Sequence, residues 1–247
     1  MYGAVRMNKM LFRRPNIWDK PITLFTIDGI TVHIVQSRDS THTIFKATYG
    51  AEKLLIPLKG SVEFTDIYAN EKDIIYVPRR YSDVELSYER GSVIYLIEVI
   101  SNSDFEPYVK RFSEARYIDV GDGLSRRRRY ILIDVNDRSE KFLAGFTECC
   151  SGCWGSYPPH RHDDKYEVFV YYGSEPGFGI QLLIDEDLQE AYIVRDFDVF
   201  LVRYGYHPNV SIPSTRLNYL WVMISIKGAR DFSMDIHPMF SENRRRR

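Results

Sequence analysis

Apolar residues in this chain recur in short runs separated by turn residues rather than at the three-and-four spacing of a helix. Runs over 30–35, 54–58, 74–77, 93–100, 131–135, 168–172, 181–184, 199–202 and 217–226 are rich in Val, Ile, Leu, Tyr and Phe. That composition and length predict strands. Asp28-Gly29, Lys59-Gly60, Arg90-Gly91 and Gly177-Phe178-Gly179 stand between runs where turns are needed. Many short strands at this spacing predict an all-β fold of sandwich or barrel type, not a parallel sheet with crossover helices.

The two halves of the chain resemble each other. DIIYVPRRYS (73–82) lies on DVFLVRYGYH (198–207) without a gap, so each half reads as one jelly roll. Two tandem domains follow, 1–115 and 116–247, with the break inside 103–120, where Asn102, Ser103, Asp104 and then Gly121, Asp122 and Gly123 interrupt the strand pattern. On this alignment Ser82 stands where the second copy has His207. Glu52 stands roughly where the second copy has Glu167, and the first copy lacks the histidines of the second.

Charge and cysteine content narrow the partners. Lys plus Arg number 33 against 34 Asp plus Glu, a formal charge of -1, so no field draws a polyanion and a nucleic-acid partner is not expected. The longest apolar run, 93–100, contains Glu98 and is far short of the ~20 residues of a membrane span, so no membrane partner is expected either. Arg6, Lys9, Arg13 and Arg14 are scattered through the first fifteen residues with no apolar block, which argues against a secretory signal. Cys149, Cys150 and Cys153 are odd in number and crowded into one segment. They make a poor disulfide framework and fit structural thiols in a reducing cytoplasm, and the second CxxC pair of a structural zinc site is absent.

The chemistry concentrates in the second half. His160 and His162 flank Arg161, and residues two apart on a strand share a face, so both imidazoles can address one interior point. Glu167 opens the next apolar run, and His207 follows the run 199–202. Three neutral imidazoles and a carboxylate suit Zn(II), Fe(II), Mn(II) or Ni(II), and zinc is the expected ion.

HxHxxxxE followed by a strand ending in GYHP resembles the two-part pattern of the cupin superfamily. Within it, GCWGSYPPHRHD (152–163), GYHP (205–208) and LNYLWVM (217–223) resemble the 5-deoxy-glucuronate isomerases of inositol catabolism. The spacing of HxHxxxxE and the run EVFVYY (167–172) look closer to the sister family, the 4-deoxy-5-threo-hexosulose-uronate ketol-isomerases of pectin breakdown. Cys153, Gly155 and Arg203 depart from the usual residues. The resemblance implies a bicupin with His160, His162, Glu167 and His207 as metal ligands in the C-terminal domain. It also implies an aldose to ketose isomerisation of a deoxy-uronic acid, 5-deoxy-glucuronate to 5-dehydro-2-deoxy-gluconate, with a divalent metal as Lewis acid.

Such a reaction needs a group to move a proton between neighbouring carbons, and Glu167, Tyr172, Tyr206 and Glu148 are the candidates. The substrate carboxylate calls for a basic partner, with Arg161, Lys165, Arg127, Arg129 and Arg203 available and the run Arg126 to Arg129 favoured. Arg244 to Arg247 reads as a solvated tail. The expected partner is a small sugar acid, and homo-oligomerisation through sheet edges is expected because so many strands must cover them. An Fe(II) dioxygenase and a non-catalytic sugar-acid binder are the alternatives from other classes.

Overall fold

The structure, a computed structural model, describes residues 10–241. Arg6, Lys9 and the run Arg244 to Arg247 lie outside the described residues. Two large sheets share one strand order. In the first half Ile74–Val77, Ala51–Lys59, Val93–Ile100, Ile30–Gln36 and Ile22–Ile27 lie side by side, edged by Tyr108–Lys110. In the second, Val199–Val202, Lys165–Tyr172, Asn218–Ser225, Phe142–Cys149 and Arg127–Ile133 repeat that order. Each large sheet is backed by a four-stranded one: His42–Lys46, Asp83–Tyr88, Val62–Phe64 and Ile67–Ala69 in the first half, Trp154–Gly155, Asn209–Ser211, Gly179–Asp185 and Leu188–Val194 in the second. The repeat seen in ten residues of sequence therefore extends to whole jelly-roll sandwiches.

Three apolar cores fill the spaces between these four layers. One lies inside the first sandwich, around Phe45, Leu55 and Val84. Another lies inside the second, around Phe169, Tyr171 and Trp221. The third joins the two large sheets face to face through Ile34, Leu54, Ile56, Val168, Val170 and Val222. Central strands are thus covered on both faces, which is why Ile30–Gln36 is buried at all seven positions, Thr31, His33 and Gln36 included. Outer strands face water on one side. His42–Lys46 alternates exposed and buried, and its charged positions hid it from the run-based reading.

Two details depart from the reading of two tandem halves with matched residues. Leu11–Phe12 pairs with Phe200 and Val199 in the second half's large sheet, and the Arg13 guanidinium reaches Asp198 at 2.6 Å. Glu52 is the second. Val77 and Val202 are matched in the repeat, and Val77 pairs with Lys53 while Val202 pairs with Glu167. Lys53, not Glu52, is therefore the counterpart of Glu167. One residue along a strand reverses the face, so Glu52 points between the halves. There it accepts hydrogen bonds from Tyr76 Oη (2.9 Å), Ser139 Oγ (3.1 Å), and the backbone N–H groups of Glu140 (3.0 Å) and Lys141 (2.5 Å).

The cysteine expectation also needs correction. Cys150 and Cys153 are joined in a disulfide, because the turn through Gly152 (φ +70°) brings their Cα atoms to 5.2 Å, while Cys149 remains a buried free thiol. Among the described residues, no helix is long and apolar enough to cross a membrane.

Candidate metal centre

Four elements deliver the histidines and the carboxylate to one point inside the second sandwich. His160 comes from the two-residue strand His160–Arg161 and His162 from the loop just after it. Glu167 comes from Lys165–Tyr172, and His207 follows the turn at Gly205. That turn needs glycine: its φ is +79°, and a Cβ would sit 3.0 Å from the carbonyl oxygen of Ile184. The ring centroids lie 4.8 Å (His160 to His207), 5.4 Å (His160 to His162) and 5.6 Å (His162 to His207) apart. One nitrogen of each ring lies within 4.8 Å of one nitrogen of the others.

The backbone sets the tautomers. His160 Nδ1 faces the carbonyl oxygen of Pro158 (2.8 Å), His162 Nδ1 that of Ser233 (2.8 Å) and His207 Nδ1 that of Gly205 (3.1 Å). A carbonyl only accepts, so each Nδ1 carries the proton and each Nε2 keeps its lone pair. Glu167 Oε2 lies 3.1 Å from His207 Nε2 and 3.9 Å from His162 Nε2. Both Glu167 Oε2 and His207 Nε2 are buried without a hydrogen-bond partner. Buried polar atoms are rarely left so, and a cation between them removes the anomaly. The donor set and its outer hydrogen bonds therefore fit a divalent metal. Gln181 supports the arrangement from behind, donating to the carbonyl of His207 (2.9 Å) while accepting from Tyr171 Oη (2.8 Å).

Burial dominates the electrostatics. It pulls His160 down to about 3, helped by His207 and His162, and His207 down to about 4. His162 is lowered too, against the pull of Glu167. Burial raises Glu167, which the neighbouring histidines and Arg129 oppose.

Above the histidines lies a cavity of about 70 Å³ whose wall includes Arg127, Arg129, Thr147, Tyr219, Phe232 and Met234. Arg129 faces Trp221 and Phe232, its Cζ 6.0 and 5.4 Å from their rings, and its Nε is buried without a hydrogen-bond partner. Arg127 donates to the carbonyls of Ser125 (2.8 Å) and Tyr157 (2.5 Å).

Several other candidates lie elsewhere. Glu148 and Tyr172 belong to the opposite face of their sheet, since Thr147 and Tyr171 take the inner one. There Glu148 pairs with Lys72 at 2.9 Å and Tyr172 Oη reaches it at 3.5 Å. Neither can move a proton at the histidines. Tyr206 turns away to meet His237 edge-on, centroids 4.6 Å apart, and Arg161 lies against that tyrosine, its Cζ 5.4 Å from the ring centroid. Arg203 is engaged with Asp28 at 2.5 Å. Lys165 is buried and bonded to Asp164, Asp231 and Ser233 instead of lining the cavity. Thr147, Ser156 and Tyr219 were missed. Tyr219, Trp221 and Met223 alternate on one strand, so carrying the inward face across from Glu167 would have found them, whereas nothing in the irregular stretch around Phe232 announces its role.

This duplicated sandwich is a two-domain cupin fold. A solved IolB-like protein from Salmonella typhimurium LT2 superposes with a TM-score of 0.81 at 16% identity, covering 95% of this chain and 98% of that one. Bacillus subtilis oxalate decarboxylase superposes at 0.66 with 12% identity, covering 92% of this chain and 79% of that one. The chain itself belongs to the KduI/IolB family, whose profile matches residues 26–240. Among curated relatives, the 5-deoxy-glucuronate isomerase of Shouchella clausii is 27% identical over 206 residues, 72% of this chain and 75% of that protein. The enzyme of the same name from Geobacillus thermodenitrificans is 32% identical over 114 residues, 42% of each chain.

Proposed function

We propose that this protein is a metal-dependent sugar-acid isomerase that interconverts an aldose and a ketose, with 5-deoxy-glucuronate or a closely related deoxy-uronate as substrate. The observation that carries the reading is the convergence of three proton-free Nε2 atoms and Glu167 on one point beneath a cavity that also holds Arg129. Membership of a family whose named relatives are 5-deoxy-glucuronate isomerases supports it.

A divalent cation held by His160, His162, His207 and Glu167 would supply Lewis-acid stabilisation of negative charge on substrate oxygen; zinc is the favoured ion, with Fe(II), Mn(II) and Ni(II) as alternatives. The chain's own residues do the rest. Arg129, whose buried Nε–H has no partner, binds the far carboxylate, and Arg127 adds positive charge beside it. Glu167 is the one member of the proposed proton-transfer set that borders the cavity, so the proton passes between neighbouring carbons through its carboxylate. Trp221, Phe232 and Met234 keep water away from the reacting carbons.

The test is metal content and isotope exchange on one preparation. About one transition metal per chain, lost in His162→Ala but kept in Ser82→Ala, with solvent deuterium entering the product from 5-deoxy-glucuronate, is the expected result. Bound metal with no turnover of any deoxy-uronate would overturn the isomerase reading.

A further inference from the structure

The cavity above the histidines measures about 70 Å³, whereas sites for small organic ligands usually span about 300–1,000 Å³. A sugar acid does not fit unless part of the wall moves. Most of that wall is strand: Thr147, Glu167, Phe169, Tyr219, Trp221 and Met223 are all buried. Ser156 and His162, from neighbouring loops, are buried as well, and Arg127, Arg129 and His160 stand on paired strands, whereas residues 231–236, which contribute Phe232 and Met234, include no buried residue.

This stretch runs between two anchors. Before it, the Arg230 guanidinium donates to the carbonyls of Asp134, Val135, Asp137 and Phe142 at 2.6–2.9 Å. After it, the N–H of His237 donates to the carbonyl of Pro159 at 2.9 Å, and Phe240 packs edge-on against Tyr157. Between the anchors, its strand pairing is limited to Asp235–Ile236 with His160–Arg161. A buried ammonium ties down its side chains: Lys165 Nζ lies 3.0 Å from Asp231 Oδ1 and 2.9 Å from Ser233 Oγ. The same stretch supplies the Ser233 carbonyl that orients His162.

We propose that residues 231–236 form a flap that lifts to admit the sugar acid, and that Lys165 is the positioning residue that latches it shut. Closing the flap and fixing the His162 tautomer are then one event, because Ser233 takes part in both. Phe232 leaves the face of Arg129 when the flap lifts, so the carboxylate partner is uncovered by the same motion. The nature of the ligand rests on the isomerase reading above; the latch does not.

Hydrogen–deuterium exchange and zinc loss to excess chelator test this in wild type, Lys165→Met and Asp231→Ala, the last altering only a half-exposed side chain so that folding is preserved. Exchange at 231–236 is expected to quicken at least tenfold in both variants, with the strand amides unchanged. Zinc should leave at least tenfold faster from an undiminished stoichiometry, and 5-deoxy-glucuronate should slow flap exchange in the wild type. Flap exchange and zinc loss within twofold of wild type in both variants would overturn the latch. Neither arm needs turnover, so a blank isomerase assay counts against the proposed reaction and leaves the latch to be decided by these rates.

Discussion

Lys53 and Glu167 occupy the same station in the two sandwiches, one paired with Val77 and the other with Val202. Where the second half carries a carboxylate beside three histidines, the first carries a fully buried ammonium that donates to the carbonyl of Ala51 at 2.5 Å. A cation at that station repels another. At this station the first half therefore presents an ammonium where the second presents a carboxylate able to bind a cation.

That buried lysine has a measurable signature. Burial pulls it down to about 8, with Glu98 and Asp104 opposing. A lowered lysine costs stability in full below pH 8, and the cost is relieved as pH rises from 8 towards the ordinary value of 10.5, because the folded chain releases its proton first. Lys53→Met is expected to raise stability at pH 7 by about 1–3 kcal/mol and to flatten the rise between pH 8 and 10. Urea denaturation at pH 7, 8, 9 and 10 checks both; a less stable variant contradicts the argument.

Acid should act through the histidines. The unfolded chain takes up protons near pH 6.5, whereas burial keeps His160 neutral to about 3 and His207 to about 4. Metal-free stability is therefore present above 6.5 and falls as pH drops towards 4. A zinc-loaded sample should melt well above the metal-free one at pH 7, and that margin should hold at pH 5 and close only towards pH 4 and below, where protons begin to compete for Nε2 in the folded chain. Thermal melts of both forms across this range report it, and a margin independent of pH would rule the cluster out as the zinc site.

Replacing Arg129 by Gln separates recognition from metal binding. A hydrogen bond to a charged group is worth about 1.5–3 kcal/mol, so KM for a uronate should rise roughly tenfold to a hundredfold while zinc content stays at one per chain. The neutral aldose with a hydroxymethyl group in place of the carboxylate should show no such loss. Equal effects on both substrates would place the carboxylate elsewhere.

Glu52 fastens the halves together. Its removal in Glu52→Ala strands the four donors from Tyr76, Ser139, Glu140 and Lys141, for an expected loss of about 3 kcal/mol or more. A loss under about 1 kcal/mol, measured by urea denaturation, would show that water replaces the carboxylate.

The sequence alone determined the strand content, the tandem repeat and the four residues that converge as candidate ligands. These follow from local rules: apolar runs make strands, and residues two apart share a face, so the HxH pair could be read without coordinates. The same period misled at Glu52, where a one-residue offset between repeats, invisible in a rough alignment, reversed the face.

Only the tertiary structure decided which polar groups share the cavity. Glu148 and Tyr172 are near the centre in sequence but lie behind a sheet, because their neighbours Thr147 and Tyr171 occupy its inner face. Phe232, Ser233 and Met234 come from an irregular stretch with no periodicity to read, and reach the histidines because Arg230 and Lys165 tie that stretch across the mouth of the sandwich. Which side chains meet across layers depends on the path of the chain between them, and no local pattern records it.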